Sequence, residues 1–136
     1  MSEPSLAIQI AIRSALVTAP AVTGMVPAEQ IFDGPSRPEL FPCVIVGTGQ
    51  TVVEPITMTR RHVRVYHDLH FWTDESGLEN LKQITGAAHK ALAAKPAVAD
   101  FRLIDWQVTG TRFMRDPGNV GHAVMTVEAL VSEYMQ

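Results

Sequence analysis

Several features that mark common functional classes are scarce in this chain of 136 residues, and each scarcity excludes a class of protein. The single cysteine, Cys43, cannot form an internal disulfide, which suits a reducing compartment. The net charge of -3 provides no basic surplus to attract nucleic acid or anionic lipid. No apolar run reaches the roughly 18 residues that span a bilayer, and Glu3 stands where a signal peptide would be positively charged. We therefore expect a soluble protein with no signal peptide and no membrane contact.

Motifs for catalysis and cofactor binding are lacking as well. Gly47-Thr48-Gly49 follows an apolar strand, as a dinucleotide fingerprint would, but the third glycine is missing and the next residues are unsuited to opening a helix. A strand end or bulge explains these glycines better. Cys43 directly follows Pro42 at the start of a strand, which favours a small buried side chain over a nucleophile. We predict no catalytic residue and no cofactor.

The five histidines do not have the spacing of a metal site. His67 and His70 point to opposite faces of one predicted strand. His62 and His70 share a face but are separated by roughly 26 Å, at about 3.3 Å per residue. Only a pairing created by the fold, with His89 or His122, could join two imidazoles, and no closely spaced cysteine or carboxylate accompanies them. No bound metal is predicted.

Apolar residues are plentiful enough for one ordinary domain. The composition, 46% hydrophobic and 18% charged, predicts a single domain over residues 1-136. The segment from Pro4 to Thr18 predicts a helix that is apolar around most of its circumference, with a narrow polar wedge near Gln9 and Arg13. Such a helix is either deeply buried or in contact with a second subunit.

Residues 19 to 42 are rich in proline and glycine and predict a long loop. Only Ile31 and Phe32 indicate regular structure there, as a brief strand. Loops of this length inside a compact domain are uncommon and are often functional. The loop is therefore a candidate for contact with a partner.

Two strands and a second helix follow this loop. Cys43 to Val53 predicts one strand, and Arg60 to Trp72 predicts another with clear alternation between its two faces. Ser76 and Glu79 form a plausible capping box for a helix that should end near Lys95-Pro96. The apolar stripe of that helix consists of Leu78, Leu81, Ile84, Ala88, Ala91 and Leu92.

The stretch from Phe101 to Val131 predicts two strands that fold back at Arg115-Asp116-Pro117-Gly118. Alternation in the first of them places Ile104, Trp106 and Val108 on one face. The fold class is therefore α+β, a mostly antiparallel sheet of about four strands with two helices packed on it.

The predicted sheet has a second face that is too apolar to meet water alone. Self-association would explain it, although a register shift of one residue would reverse the two faces. The predicted oligomer contacts on this face and on the first helix are Leu6, Ile10, Tyr66, Trp72, Val124 and Leu130.

Arginines form the one dense basic cluster, at Arg60, Arg61 and Arg64, near which the hairpin could bring Arg112 and Arg115. Its two interpretations are a solvated strand end and a positive surface that faces a partner or passing DNA. The second interpretation predicts contacts to a partner or to a channel lumen through Arg37, Arg60, Arg61, Arg64 and Arg115.

Several short phrases and their order resemble the tail-terminator, or tail-completion, proteins of long-tailed bacteriophages, the broad group to which the gpU minor tail protein of phage lambda is functionally related. The resemblance extends over nearly the whole chain. It is carried by the N-terminal helix, Ile31-Phe32-Asp33, Leu40-Phe41-Pro42 leading into Cys43-Val44-Ile45-Val46-Gly47, Asp68-Leu69-His70-Phe71-Trp72 with the helix that follows, and Arg115-Asp116-Pro117-Gly118.

The resemblance implies a structural, non-enzymatic virion assembly protein. Such proteins form a ring, expected here to be a hexamer, that caps the finished tail tube, ends polymerisation and offers a docking surface to the head-side connector or stopper protein. Similar proteins occur in prophages and gene transfer agents. DNA would pass through the ring only as cargo. The protein would reside in the host cytoplasm during assembly and then in the virion, at the tail end near the neck.

Surfaces rather than catalytic residues would carry this function. The 19 to 42 loop and the segment from Gln50 to Arg61 are expected to meet the tube or the connector. One alternative is a small dimeric α+β binding or catalytic domain with an apolar pocket lined by Trp72, Trp106 and Tyr66. Another is a different head-tail neck adaptor.

Overall fold

Five strands form one mixed sheet in this computed structural model, which describes residues 3–34, 38–54 and 62–133. The helices are α1 (Pro4–Val17), α2 (Pro20–Thr23) and α3 (Glu79–Ala91), with a 3-10 turn at Ala28–Gln30. The strands are β1 (Ile31–Asp33), β2 (Cys43–Glu54), β3 (His62–Asp74), β4 (Phe101–Asp116) and β5 (Val120–Glu133). Their order across the sheet is β1-β2-β3-β5-β4, and only the β1–β2 pair is parallel.

The α+β class predicted from the sequence is confirmed, with corrections to the number of elements. The sheet has five strands rather than about four, because the brief strand at Ile31 and Phe32 joins its edge as β1. The described parts of the 19 to 42 stretch contain α2, the 3-10 turn and β1, so this stretch is more regular than a loop. Helix α2 brings the described helices to three, not two.

Helix α1 begins and ends almost where the sequence predicted. Pro4 occupies its first turn, and a Glu3 carboxylate oxygen accepts a hydrogen bond from the Leu6 backbone N–H at 3.0 Å. The buried imidazole of His67 on β3 donates from Nε2 to the Ser5 carbonyl oxygen at 2.8 Å, which fastens the helix to the sheet. The Arg13 Nε donates to the Ile31 carbonyl oxygen at 2.8 Å and ties α1 to β1.

The start of α3 differs from the prediction of a capping box at Ser76 and Glu79. The Glu75 carboxylate instead accepts from the backbone N–H groups of Asn80 and Leu81, at 3.1 and 3.2 Å. The first N–H groups of a helix have no partner within it, so this carboxylate satisfies two of them from outside. The helix also ends earlier than predicted, at Ala91, with Leu92 as the cap.

Alternation along β3 and β5 builds the core, as predicted. The odd-numbered residues of both strands face the helices, and all of them except Glu133 at the end of β5 are buried. They include Val63, Val65, Leu69, Phe71, Ala123, Met125, Val127, Ala129 and Val131. Even-numbered residues of β3 and β5 lie on the opposite side of the sheet, called here the open face.

Strand β4 breaks the simple alternation predicted for it. Its pairing with β5 shifts between Leu103 and Asp105 and again between Val108 and Gly110. The first of these bulges places Leu103, instead of Ile104, in step with Trp106 on the core side. The prediction that Ile104, Trp106 and Val108 share a face was therefore wrong at Ile104.

Two positions favour glycine for different reasons, lack of space at Gly47 and a positive φ at Gly118. Pairing between β2 and β3 shifts between Val46 and Gly49, which confirms a bulge at Gly47-Thr48-Gly49. A Cβ atom on Gly47 would lie 2.7 Å from the Asp68 carbonyl oxygen. The β4–β5 turn is also confirmed, with Gly118 and Asn119 at φ of 86° and 59°. No helix among the described residues is long and apolar enough to span a membrane.

Candidate assembly surfaces

The exposed side of α1 carries two large apolar side chains. Leu6 is 48% exposed and Ile10 is 61% exposed, whereas Ile8 and Ile12 on the opposite side are fully buried. Deep burial therefore holds for one side of this helix, and contact with a second subunit stays a prediction for the exposed side. Leu6 and Ile10 border a groove of about 200 Å³ whose other lining residues are small and uncharged: Ala7, Ala11, Ser14, Ala97 and Ala99.

The open face of the sheet holds an ion-pair network at one end. Arg64 on β3 donates from Nε to a Glu54 carboxylate oxygen at 3.1 Å and from Nη1 to a Glu128 carboxylate oxygen at 2.7 Å. Hydrogen bonding to Glu54, followed by the Glu128 contacts, raises the pKa of Arg64 above its ordinary value. The positive charge predicted to face DNA or a partner is thus matched by two carboxylates of the same chain.

Two other arginines of the predicted basic cluster, Arg112 and Arg115, lie among the described residues. Arg115 is exposed beside the β4–β5 turn, and its Nε donates to the Ser76 carbonyl oxygen at 3.2 Å. Arg112 is also exposed, two strands away from His70 across the open face. Arg37, Arg60 and Arg61 lie outside the described residues, as does the end of the Gln50 to Arg61 segment.

The other end of the open face holds a histidine pair. The ring nitrogens His70 Nδ1 and His122 Nε2 lie 2.9 Å apart, and His122 Nδ1 lies 3.4 Å from an Asp116 carboxylate oxygen. The imidazole of His122 stacks on the Trp72 indole, with ring centroids 3.8 Å apart and an interplanar angle of 7°. The sequence left open a fold-built pairing with His89 or His122, and the structure brings His122 together with His70.

Two imidazoles alone give too few ligands for a structural zinc site. Among residues 3–34, 38–54 and 62–133, no group of three or more histidine, cysteine, aspartate or glutamate side chains is placed to hold a metal ion. Cys43 is a buried side chain at the start of β2, on the far side of Trp72 from the His70–His122 pair. Burial raises the pKa of its thiol to about 11, so it is a poor nucleophile near neutral pH.

Part of the apolar surplus predicted for the open face is covered within the single chain. Trp72 is only 5% exposed and packs in a small cluster with Cys43, Ile45 and Val120, against the half-buried rings of Phe32 and Phe41. Leu130 is 9% exposed, while Tyr66 and Val124 remain partly exposed. Sequence reasoning missed this cover because Phe32 and Phe41 belong to the stretch that was treated as a loop.

A substrate pocket lined by Trp72, Trp106 and Tyr66 does not form, because the sheet separates the two tryptophans. Trp106 faces the helices, where its Nε1 donates to the Leu92 carbonyl oxygen at 2.7 Å, and Trp72 lies on the open face. A cavity of about 320 Å³ lies elsewhere, between α3 and the chain that leads into β2. Its lining residues are Met25, Phe41, Pro42, Thr73, Asp74, Glu75, Asn80, Gln83 and Ile84.

Comparison with known proteins gives one family and one fold. A family model described as Tail completion protein gp17 matches residues 10–132. A solved chain from the "Virion of native gene transfer agent (GTA) particle" has a TM-score of 0.80 to this chain, with 18% sequence identity. The alignment covers 92% of this chain and 94% of that one. At this identity the likeness shows a shared fold. No curated protein matches.

Proposed function

The chain belongs to the tail completion protein gp17 family, and we propose that it completes the tail as a ring, most simply a hexamer, on the end of the finished tail tube. It is a structural protein of tail assembly and not an enzyme. In the proposed role the ring stops further polymerisation of the tube protein and offers a docking surface to the head-side connector or stopper protein.

The observation that carries this proposal is the exposed apolar groove on α1. Large exposed side chains of this kind mark association sites when they border a concave surface. A closed ring needs two different patches that complement each other, because each copy contacts its neighbour head to tail. Leu6 and Ile10 form the concave patch in this proposal.

The second patch in the proposal is the end of β2. The large apolar side chains that remain exposed in the described residues are Leu6, Ile10, Leu40, Val52 and Val53. Val52 and Val53 are adjacent near the end of β2 and therefore point to opposite faces of the sheet. We assign Val53, which at 56% is the more exposed of the two, to the groove of the neighbouring copy. Tyr66 and Val124 are partly exposed and therefore available for oligomer contact. Trp72 and Leu130 expose little surface for such a contact.

Charges on the open face support a passive role toward DNA. Arg64, proposed as a lumen contact, is already paired with Glu54 and Glu128, so it would not hold phosphate strongly. A lumen of balanced charge lets DNA pass as cargo. Arg115, exposed at the hairpin, is proposed to contact the tube or the connector. The same role is proposed for Arg37, Arg60 and Arg61.

Capping of purified tail tubes tests the function directly. We expect the protein to bind one end of each tube, to stop elongation by added tube protein, and to appear as a ring in electron micrographs of the complex. Failure to bind tube ends would overturn the proposal. Binding to the connector in the absence of any binding to tubes would instead identify a neck adaptor.

A paired substitution tests the groove. The double variant Leu6→Asp/Ile10→Asp places two charges in an uncharged groove and should abolish ring formation on tubes while leaving the fold intact, since both side chains are exposed. His89→Asp, on the exposed side of α3, is the matched control and should assemble normally. A folded double variant that still forms rings and caps tubes would show that the groove is not the subunit contact.

A further inference from the structure

The Asp116–His122–His70 cluster on the open face has a direction that follows from its donors and acceptors. An ionised carboxylate only accepts hydrogen bonds, so the His122 nitrogen facing Asp116, Nδ1, carries a proton. The other nitrogen of neutral His122, Nε2, is then an acceptor. His70 Nδ1, which lies 2.9 Å from it, must therefore be the donor.

We propose that these three side chains form a directed hydrogen-bond chain that takes up one proton without rearranging and breaks when it takes up a second, which makes this end of the open face acid-sensitive. The proposal does not depend on the ring. It concerns the side of the sheet that carries Trp72 and the residues next to the β4–β5 turn.

The two protonation steps differ in what they do to the chain. A proton added at His70 Nε2 leaves the chain intact, because the Nδ1–H of the resulting imidazolium still donates to His122, now as a charge-assisted hydrogen bond. The second proton can only bind His122 Nε2, the atom that accepts that bond. Two N–H donors on two cations would then face each other across 2.9 Å, so the rings must separate.

Titratable and charged groups on several strands influence the second protonation step, the one at His122. Asp116 on β4 favours a charged His122, while Arg112 on the same strand and a charged His70 on β3 oppose it. Asp68 and Asp74 flank the site along β3, and Asp68 is already engaged by the Thr126 hydroxyl at 2.9 Å. On β2, Cys43 remains a neutral thiol.

Burial decides the balance among these groups. The His122 side chain is only 12% exposed and lies flat on Trp72. Desolvation is the largest cause that lowers the pKa of His122, and Asp116 offsets it only in part. Separation of the rings would disturb the stack on Trp72 and hence the small cluster of Cys43, Ile45 and Val120 around it.

Nuclear magnetic resonance of the imidazole nitrogens tests the direction of the chain in the full-length protein. At neutral pH the Nδ1 atoms of both His70 and His122 should carry protons, and Nε2 of His122 should carry none. Exposed His89 serves as the internal reference. Finding His122 protonated at Nε2 at neutral pH would overturn the proposal, and this measurement needs no variant.

Titration of His122 in two variants tests the coupling. His70→Phe keeps an aromatic ring but removes the second cation, so the titration midpoint of His122 should shift upward. Asp116→Asn removes the favourable charge, so the midpoint should shift downward. The His89 midpoint should not move in either variant. A His122 midpoint that is unchanged in a folded His70→Phe variant would show that the two rings titrate independently.

Discussion

The covered face and the open face of the sheet belong to the same strands but are stabilised by different means. On the covered face, apolar side chains such as Phe71 and Met125 pack under α1 and α3. On the open face, polar side chains of β3 reach partners on β5: Arg64 with Glu128, Asp68 with Thr126, and His70 with His122. Burial of apolar area needs only the right face, whereas these polar pairs need the right register.

The largest expected effect is on the covered face. Phe71 is fully buried in the main core, so Phe71→Ala should lower the free energy of unfolding by about 3–5 kcal/mol through lost burial and a cavity. Chemical denaturation monitored by circular dichroism measures it. Val124→Ala on the open face, where the side chain is partly exposed, is the comparison and should cost about 1 kcal/mol or less. Equal losses in the two variants would contradict the distinction between the faces.

A bulge glycine tests how tightly the strands approach each other. Gly47→Ala would place a Cβ atom 2.7 Å from the Asp68 carbonyl oxygen, a backbone atom that cannot move away alone. We expect the free energy of unfolding to fall by about 1–3 kcal/mol, as it does at other overpacked sites. Gly110→Ala, beside a bulge of β4, meets no atom within 4 Å and should be close to neutral. Thermal unfolding of the two variants, measured side by side, tests this difference. If Gly47→Ala left the stability unchanged, the close approach of the two strands would be excluded.

Much of the covered face could be predicted from the sequence, because burial follows the alternation of single residues along a strand. The faces of β3, the extent of α1 and the turn at Gly118 all came from local patterns of this kind. The bulge at Ile104 could not be predicted in this way, because one inserted residue does not interrupt a run of residues that favour a strand. Local pattern also misplaced the cap of α3, where Glu75 acts from outside the predicted box.

The open face was harder to predict because its partners are distant in sequence. The His70–His122 contact joins residues 52 positions apart and depends on the β3–β5 register, which no local pattern gives. Cover of Trp72 by Phe32 and Phe41 depends in turn on how β1 joins the sheet. The exposed groove beside Leu6 and Ile10 is the part of the proposed assembly surface that the sequence indicated, as an excess of apolar residues around α1.

A smaller effect is expected from the ion-pair network. Arg64→Ala removes the partner of both Glu54 and Glu128, and because all three side chains retain contact with water the loss should be about 1 kcal/mol. Raising the salt concentration should shrink the difference between wild type and variant. Denaturation at low and high ionic strength measures this, with Arg102→Ala on exposed β4 surface as the control. A salt-independent loss would indicate that Arg64 acts through packing.

The smallest expected effect is a change of stability with pH that arises from His122. Its pKa in the folded protein is lowered from the ordinary 6.5, chiefly by burial, so the unfolded chain binds the proton more readily. Stability from this group is therefore complete above pH 6.5 and is lost as the pH falls through the lower folded value. Comparing wild type with His122→Gln between pH 7.5 and about pH 5 isolates the contribution of His122 together with its coupling to His70, since the groups away from this pair titrate in both. The wild-type curve should fall more steeply, and parallel curves would mean that the open face does not oppose protonation of this ring.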